Sequence, residues 1–316
     1  MSEVIEVKNL IKNYGKLRAV DGISFGVEKG EIFGLLGENG AGKTTTLEII
    51  EGLRKPTSGE IKVLGYDVRK NIKEIKKRIG VQLQSAAYYK FLKLREIVDL
   101  FGNFYNKKVD AEKLLNMVGL KSKAEQYVSS LSGGQKQRFS IIASIINDPE
   151  IVFLDEPTTG LDPVGRRNTW DIISQIKAQG KTIVLTTHYM EEAEILCDRV
   201  AIMEKGKIII IGKTHKLIEK TKYPLKVEFI LGKVNPQTID NLKSSCRGDC
   251  YIKKLPGKEM YYEAKIKYQQ DLNNFIGSLQ KENPESLAVR RSTLEDLFIE
   301  LTGKTIKEVE EKENNV

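Results

Sequence analysis

The stretch GENGAGKTT, residues 37–45, decides the fold of this chain because of what stands on either side of it. The apolar run EIFGLLG leads into it, and TTTLEIIEGL, whose apolar residues have helical spacing, follows. The stretch fits the pattern G-x-x-x-x-G-K-[ST], in which glycines let backbone N–H groups converge on phosphate oxygens. A strand, a glycine-rich loop and a helix in this order predict a phosphate-binding loop in an α/β domain.

The side chains of this loop suit a nucleotide with its magnesium ion. Lys43 supplies a positive charge for the β- and γ-phosphate oxygens, and Thr44 offers a hydroxyl to Mg²⁺. Thr45 is placed for a further phosphate contact. The other predicted nucleotide-binding positions are Gly37, Asn39, Gly40, Ala41 and Gly42. An ordinary glycine-rich turn before a helix is the alternative, and the strand–loop–helix context disfavours it.

Two more apolar, β-branched runs, IVFLD at 151–155 and TIVLTTH at 182–188, alternate with a helical pattern. This alternation predicts a mainly parallel sheet that is covered on both faces. Asp155 ends the first run at the edge where the phosphate loop lies, and is predicted to hold Mg²⁺. Because successive strand side chains diverge, Glu156 can aim at a water beyond the γ-phosphate and act as general base. Taken alone, such a pair is more often a plain strand end.

His188 and Gln84 each end a predicted strand. His188 lies at the same sheet edge as Asp155, where it could contact the γ-phosphate and hold the general base in line. Gln84, in RIGVQLQ, is long and neutral, which suits it to ligating Mg²⁺ or positioning water. By themselves, a strand-end histidine would more often be structural and a glutamine would belong to the surface.

The stretch LSGGQKQR at residues 131–138 presents a second anion-binding pattern. Ser132, Gly133 and Gly134 stand directly before FSIIASII, which looks helical. A hydroxyl and several backbone N–H groups are therefore expected at a helix start, where an anion is favoured. The chain already has one phosphate loop, so the question is whose phosphate the second pattern binds.

In this order, GENGAGKTT, Gln84, LSGGQ, IVFLDEP, TTGLD and His188 resemble the nucleotide-binding cassette of ABC transporters, across about residues 1–216. The resemblance implies that the nucleotide is ATP, that Tyr14 stacks on its adenine, and that Asp162 crosses to a partner cassette. It also implies a head-to-tail dimer, either a homodimer or a pair with a related second chain, in which one chain closes over the ATP held by the other. The residues of that contact are Ser132, Gly133, Gly134 and Gln135.

The closing stretch STLEDLFIELTG, 292–303, resembles the end of ATPases from ABC-2-type exporters, the drug, antibiotic or ion efflux group. Importer cassettes can also carry a C-terminal domain, so an importer is the alternative. The resemblance implies a separate ABC-2-type transmembrane permease, and a position on the inner face of the cell membrane. It also implies a groove for a permease helix within residues 85–130. The aromatic candidates for this groove are Tyr88, Tyr89, Phe91 and Phe101, most of which would ordinarily be core.

The rival function is that of a soluble mechanochemical ATPase that acts on nucleic acid or ribosomes. Repair-type cassettes carry long coiled coils, and ribosome-acting ones carry two cassettes. This sequence has neither feature, so no nucleic-acid partner is expected. A binding-only module is a third possibility, and an intact Glu156 and His188 favour turnover instead.

A change of composition after about residue 217 predicts a second domain at 217–303, followed by a polar tail at 304–316. The strand and helix patterns of the second domain have the order βαββαβ, which is typical of a small ferredoxin-like α+β module. The cassette itself, 1–216, is predicted to add antiparallel β structure and a helical subdomain at about 85–150.

In the closing helix of the second domain, Ser292 is the predicted N-cap, with Glu295 three residues on. Gly303 is its predicted stop.

Composition and charge limit the function classes further. The chain has 316 residues, and its apolar runs fall far short of the roughly 18 residues of a membrane span. Three cysteines and the absence of an N-terminal signal pattern favour the cytosol. The net charge of +8 would allow contact with anionic surfaces. Its densest basic cluster, RKNIKEIKKR, is expected to be a solvated helix with the apolar stripe Ile72, Ile75 and Ile79.

Overall fold

The computed structural model describes residues 2–82, 91–232, 236–246, 250–254 and 260–303. Gln84, Tyr88 and Tyr89 lie outside these residues, as does the predicted tail, so their predicted roles stay predictions. The chain forms two compact units, Met1–Lys213 and Thr214–Val316. Among the helices of the described residues, none has the length and apolar character needed to cross a membrane.

The first unit contains both strands and α-helices, which alternate from β7 to β9. Its strands are β1 (Glu3–Tyr14), β2 (Leu17–Glu28), β3 (Ile32–Leu36), β4 (Ser58–Val63), β5 (Tyr66–Asp67), β6 (Ile79–Gln82), β7 (Ile151–Asp155), β8 (Thr182–Thr187), β9 (Arg199–Glu204) and β10 (Lys207–Lys213). Its α-helices are α1 (Lys43–Ile50), α2 (Ile72–Lys76), α3 (Leu94–Phe104), α4 (Ala111–Met117), α5 (Gly133–Ile145), α6 (Pro163–Ala178) and α7 (Met190–Leu196).

A six-stranded sheet forms the centre of this unit, in the order β10-β9-β3-β8-β7-β6. The neighbours from β9 to β6 are parallel, and β10 joins β9 as an antiparallel hairpin that turns at Lys205 and Gly206. All residues of β3, β7 and β8 are buried, as expected of parallel strands covered on both faces. The carboxyl ends of these three strands therefore meet at one edge, where the glycine-rich loop begins.

A second, antiparallel sheet in the order β2-β1-β4-β5 shares its core with the central sheet. Phe25 of β2 stacks on Phe33 of β3, with ring centroids 5.3 Å apart and planes at 5°. Offset stacking of this kind adds to the stabilisation from burial. The antiparallel β structure predicted beside the parallel sheet is thus present, and it packs against the strand that leads into the glycine-rich loop.

The basic cluster RKNIKEIKKR forms a shorter helix than its apolar stripe predicted. Ile75 is buried within α2, and Ile72 packs against the core, as expected. Ile79 was wrongly assigned to the same stripe, because α2 ends at Lys76 and Ile79 begins β6. A turn closed by the Arg78 N–H on the Ile75 carbonyl separates the two elements. Three isoleucines at helical spacing thus cannot distinguish a helix from a helix followed by a strand.

The second unit has the ferredoxin-like order that its sequence predicted. Its elements are α8 (Thr214–Ile218), β11 (Leu225–Ile230), α9 (Pro236–Ser244), β12 (Cys250–Lys254), β13 (Tyr261–Ile266), α10 (Gln269–Lys281), β14 (Ser286–Arg291) and α11 (Leu294–Thr302). The sheet order is β12-β13-β11-β14, and all pairs are antiparallel. Val227, Phe229 and Ala264 face the core with Phe275 of α10. The opposite face carries charged side chains.

The cap of α11 lies one residue later than the sequence predicted. Thr293 Oγ1 accepts from the Asp296 N–H at 3.3 Å, and Asp296 Oδ2 accepts from the Thr293 N–H at 3.0 Å. Ser292 is not the cap, because its N–H and hydroxyl donate to the carbonyls of Pro224 and Tyr223. Gly303 ends the helix in the left-handed conformation, with φ 71°, as predicted.

Candidate nucleotide-binding site

The glycine-rich loop curls tightly between β3 and α1. Gly37 and Gly42 have φ angles of 153° and 99°, a range that favours glycine. A Cβ atom at Gly37 would lie 2.3 Å from the Met203 carbonyl oxygen, and one at Gly42 would lie 2.4 Å from that of Ala19. Neighbouring backbone thus leaves no room for side chains at these positions. Asn39 and Gly40 are exposed at the mouth of the loop, whereas Ala41 is buried and Thr45 half-buried on the first turn of α1.

Lys43 begins α1 and turns its side chain back into the loop. Its Nζ donates to the carbonyl oxygens of Gly37 at 2.9 Å and Glu38 at 3.0 Å. The same Nζ lies 3.5 Å from Glu156 Oε1, and the side chain is 4% exposed. A buried ammonium group held among oxygens at a helix N-terminus provides the point charge that a phosphate requires.

Thr44 and Asp155 provide adjacent oxygen atoms at the base of the loop. The Thr44 hydroxyl donates to Asp155 Oδ1 at 3.1 Å, and the Thr186 hydroxyl also donates to that oxygen. Burial raises the pKa of Asp155, while the two hydroxyls oppose the rise. A hydroxyl and one carboxylate beside a phosphate loop fit Mg²⁺, which binds few protein oxygens and keeps water and phosphate as its other ligands. The predicted pair is therefore brought together.

Glu156 leaves the strand in a left-handed conformation, with φ 48°. Its N–H donates to both the carbonyl and the hydroxyl of Thr186, at 3.2 and 3.1 Å. Such a backbone is strained for a residue with a side chain, and strain of this kind clusters at functional sites. The sequence predicted that alternation along the strand would separate Glu156 from Asp155. It is instead this backbone turn that directs the side chain.

The Glu156 carboxylate is bounded by a cation, an imidazole and a hydroxyl. Oε2 accepts from the Thr159 hydroxyl at 3.0 Å and lies 3.3 Å from His188 Nδ1. Burial alone would raise the pKa of Glu156. The contact with His188 and the charge of Lys43 outweigh burial and lower the pKa to about 2. The Glu156 carboxyl group is therefore an anion at neutral pH. Its cationic partner, Lys43, also faces the glycine-rich loop.

His188 lies directly beyond β8, with its side chain 11% exposed. Its ring packs on Tyr189 with centroids 4.1 Å apart, and the Arg166 guanidinium lies 5.2 Å from the Tyr189 ring. These contacts fix the plane of the imidazole beside Glu156. The sequence placed His188 at this edge from its strand, but gave no indication of Tyr189 or Arg166.

Tyr14 ends β1 with 39% of its surface exposed. Lys12 Nζ lies 4.9 Å and Arg54 Cζ 5.8 Å from the centre of its ring. Lys12 also donates to the Lys55 carbonyl at 2.9 Å, and Arg54 pairs with Glu48 of α1. Two cations thus contact a half-exposed aromatic ring, and one of them, Arg54, follows the end of α1. Sequence reasoning missed Lys12 and Arg54, because neither belongs to a recognisable motif.

The LSGGQ residues form the start of α5. Ser132 is the N-cap: its Oγ accepts from the Gln135 N–H at 3.4 Å, and Gln135 Oε1 accepts from the Ser132 N–H at 3.0 Å. A Cβ atom at Gly133 would meet open space, so the helix start is accessible. Asp162 is likewise a cap, accepting from the Gly165 N–H at 2.7 Å at the start of α6. Within one chain, these side chains therefore have local structural partners.

The arrangement defines a class of protein. A glycine-rich loop opens a helix at the edge of a parallel sheet, and neighbouring strand ends supply two carboxylates and a histidine. This is the site of a P-loop nucleoside triphosphatase.

Comparison with known proteins gives the family. The ABC transporter family matches residues 20–159. The linearmycin resistance ATP-binding protein LnrL of Bacillus subtilis (strain 168) is 34% identical over 96% of this chain and 100% of its own length. Nod factor export ATP-binding protein I of Burkholderia lata is 36% identical over 96% of this chain and 98% of its own. The chain belongs to the ABC transporter family, as an ATP-binding protein and ATPase.

Solved structures agree with this assignment. An ATP-binding subunit of an ABC transporter, 29% identical, matches with a TM-score of 0.62 over 68% of this chain and 91% of its own. A dimeric ATP-binding cassette in a post-hydrolysis state, bound to ADP and Pi, is 27% identical with a TM-score of 0.60, over 66% of this chain and 98% of its own. The predicted α/β cassette fold is confirmed. The rival function on nucleic acid or ribosomes is not favoured by these relatives.

Proposed function

We propose that this chain hydrolyses ATP to drive export through a separate ABC-2-type membrane permease, at the inner face of the cell membrane. The observation that carries the proposal is the Glu156 carboxylate, held between Lys43 and His188 at the mouth of the phosphate loop. The relatives support the export part, because proteins named for Nod factor export and linearmycin resistance align along 96% of this chain.

ATP enters with its phosphates on the loop formed by Gly37, Asn39, Gly40, Ala41, Gly42 and Thr45. Lys43 turns from the loop carbonyls to the β- and γ-phosphate oxygens, because a phosphate carries more negative charge than the carbonyls it replaces. Thr44 and Asp155 would hold Mg²⁺, and Gln84 is a further candidate ligand. When bound, the ion would neutralise the charge that builds up on the phosphates.

Glu156 acts as the general base on the attacking water. Without nucleotide, Lys43 lowers the pKa of this carboxylate. When ATP binds and the Lys43 ammonium group moves to the γ-phosphate, one cause of the lowered pKa is removed. The pKa of Glu156 then rises towards the range in which a carboxylate accepts a proton efficiently. His188 keeps the carboxylate and the water in line, and Tyr14 stacks on the adenine.

Hydrolysis requires two copies of the chain. Each chain has one phosphate loop and one exposed LSGGQ helix start, and an anion favours such a helix start. In a head-to-tail dimer, Ser132, Gly133, Gly134 and Gln135 of one copy close over the ATP of the other, and Asp162 crosses between the copies. When the dimer closes, Ser132 gives up its cap on the Gln135 N–H and contacts the γ-phosphate of the other copy. Because hydrolysis removes the γ-phosphate, this contact is lost and the dimer reopens.

The permease helix docks in a groove of about 420 Å³ between α3 and the β6–α5 layer. Phe104, Tyr105 and Leu53 line the groove with 64%, 45% and 48% of their surfaces exposed. Exposed aromatic residues at the rim of a cavity are typical of binding surfaces. Phe101, one of the aromatic candidates, also lines this groove, whereas Phe91 is exposed outside its lining.

The dimer is tested with Glu156→Gln, in which hydrolysis stops but ATP binding remains. With ATP and Mg²⁺, light scattering should give a dimer, and without ATP a monomer. The matched control is the double variant Glu156→Gln, Lys43→Ala, which should stay monomeric because it lacks the phosphate cation. A monomeric Glu156→Gln protein at saturating ATP would contradict the dimer mechanism.

The permease is tested by purifying the tagged chain from membranes in mild detergent. A polytopic membrane protein should co-purify in stoichiometric amount, and Phe104→Ala with Tyr105→Ala should release it while ATPase activity persists. Tyr251→Ala, which removes an equally exposed aromatic residue in the second unit, is the control. Recovery of the chain only with ribosomes or nucleic acid would replace the export function with the rival one.

A further inference from the structure

A buried carboxyl group that takes no part in the proposed chemistry lies behind the hydrolysis site. Glu192 of α7 is 0% exposed, and its Oε1 accepts from Trp170 Nε1 at 3.1 Å. Trp170 belongs to α6 and is 8% exposed. A carboxyl group without solvent is unfavourable unless it is neutral or well paired. Burial raises the pKa of Glu192, so the group is more readily kept neutral than an exposed glutamate.

The other neighbours of this carboxyl group connect it to both sides of the hydrolysis site. The hydroxyls of Thr187 and Thr158 lie beside it and, together with His188, act to lower its pKa, although Glu192 Oε2 and Thr158 Oγ1 form no hydrogen bond with each other. Thr187 directly precedes His188, and its hydroxyl accepts from the Tyr189 N–H at 3.0 Å. Thr158 follows Glu156 by two residues and begins the segment that ends at the α6 cap. The carboxyl group thus stands where α6, α7 and two site segments meet.

Two atoms of this cluster have unused hydrogen-bonding capacity. Glu192 Oε2 and Thr158 Oγ1 are both buried and have no hydrogen-bond partner. Buried polar atoms are rarely left unpaired unless they serve a purpose beyond stability. A neutral carboxyl group has one O–H donor, which can pair with the Thr158 hydroxyl after a small shift of the segment.

We propose that Glu192 is a positioning residue whose carboxyl group holds the Thr158 segment and the His188 strand end against α6, and so aligns the histidine with the general base. The inference rests on the proposed hydrolytic role of that base. Glu192 touches neither the nucleotide loop nor the metal-binding oxygens in this scheme. Its loss should slow the chemical step and leave ATP binding intact.

Substitutions distinguish this role from simple packing. Gln at position 192 is neutral, and it keeps an acceptor for the Trp170 N–H and a donor for the Thr158 hydroxyl. Glu192→Gln should therefore retain kcat within about twofold, whereas Glu192→Ala should lower kcat by about tenfold or more with KM for ATP nearly unchanged. Glu191→Ala, on the exposed side of the same helix, is the matched control and should behave as the wild type.

The measurement is steady-state ATPase kinetics on the full chain, with a thermal melt of each variant. If Glu192→Ala turns over like the wild type, or if Gln is as damaging as Ala in a folded protein, the positioning role is wrong. Should Glu192→Ala fail to fold, Thr158→Val decides, because it removes only the unpaired hydroxyl. Thr158→Val alone, in the otherwise wild-type chain, should lower kcat, and an unchanged kcat would overturn the proposal.

Failure of this inference is separable from failure of the proposed function. An active wild type and an inactive Glu156→Gln protein support the hydrolytic site whatever the Glu192 variants do. A double variant, Thr158→Val with Glu192→Ala, should be no slower than Glu192→Ala alone if the two groups act as a unit. Multiplied losses would mean that they act independently, and would overturn the link between them.

Discussion

Each unit of this chain buries a lysine against carboxylates, but the two clusters are built differently. In the first unit, Lys43 is held by loop carbonyls and lies 3.5 Å from Glu156, whose backbone is strained. In the second, Lys226 pairs with Asp296, and Arg290 donates to Asp296 at 3.0 Å and to Glu263 at 3.2 Å. The first cluster opens on a binding loop, whereas the second joins a sheet face to α11.

The difference teaches that a buried ion pair does not by itself mark a functional site. Asp296 belongs to a capping box on an unstrained helix, and its charge partners come from two neighbouring strands. Glu156 has a left-handed backbone and a cation that a phosphate can take away. Strain and exchangeable partners indicate chemistry, and mutual pairing indicates structure.

The largest expected effect falls on the first cluster. Glu156→Gln should reduce ATPase activity by about 100-fold to 10,000-fold, because it removes the general base and its charge. The melting temperature should also fall, because the neutral amide loses the pairing with His188 and Lys43 that lowers the Glu156 pKa to about 2, while its volume and the Thr159 contact remain. Phosphate release at saturating ATP measures the loss, with Glu191→Gln as control. Residual activity near that of the wild type would mean that Glu156 is not the general base.

Substitutions in the second cluster should lower the stability of the second unit without lowering ATPase activity. Lys226→Met should lower the free energy of unfolding of the second unit by about 2 kcal/mol, because it removes the buried cation paired with Asp296 and leaves that carboxylate with the more exposed Arg290. Hydrogen exchange in β11 and β13 reports the change, and Lys220→Met, an exposed position, is the control. ATPase activity that falls in step with the second unit's stability would contradict the contrast between the clusters.

Opposite pH dependences should sharpen the comparison. Burial raises the pKa of Glu51 in the first unit to about 8, so this carboxyl group ionises at lower pH in the unfolded state than in the folded state. Its contribution to the free energy of unfolding therefore falls as pH rises from about 4.5 to 8. Burial also acts to raise the pKa of Asp296, but Lys226 and the Thr293 N–H outweigh it and lower the pKa. The Asp296 carboxylate therefore contributes to the free energy of unfolding at neutral pH, and this contribution is lost in acid, as pH falls through the folded-state pKa.

Thermal melts as a function of pH check both signs. Glu51→Gln should raise the melting temperature more at pH 8 than at pH 5. Asp296→Asn should lower it at pH 7, with a smaller difference in acid. The same sign for both variants would mean that the two carboxyl groups have similar environments.

The smallest expected effect concerns the cap of α11. Thr293→Ala should cost about 1 kcal/mol of stability in the second unit, because it leaves the Asp296 N–H without its acceptor. Thr293→Ser keeps the hydroxyl and is the control. Equal melting of the alanine and serine variants would mean that the cap contributes nothing there.

Local patterns predicted most of the fold because the decisive residues are close in sequence. The phosphate loop was found from one stretch, and the buried strands β3, β7 and β8 from continuous apolar runs. The errors came where two local patterns were equally good. Ser292 and Thr293 are both suitable caps, and contacts of Ser292 with Tyr223 and Pro224 decided between them.

The sequence by itself determined the class of site, since a glycine-rich loop, an Asp-Glu strand end and a strand-end histidine each have their chemistry in their residue types. Only the tertiary structure decided how they meet. The parallel sheet places β7 and β8 side by side, and so brings His188 within 3.3 Å of Glu156. It also encloses Glu192 among residues from three other segments. Burial and pairing depend on neighbours distant in sequence, and no local pattern contains them.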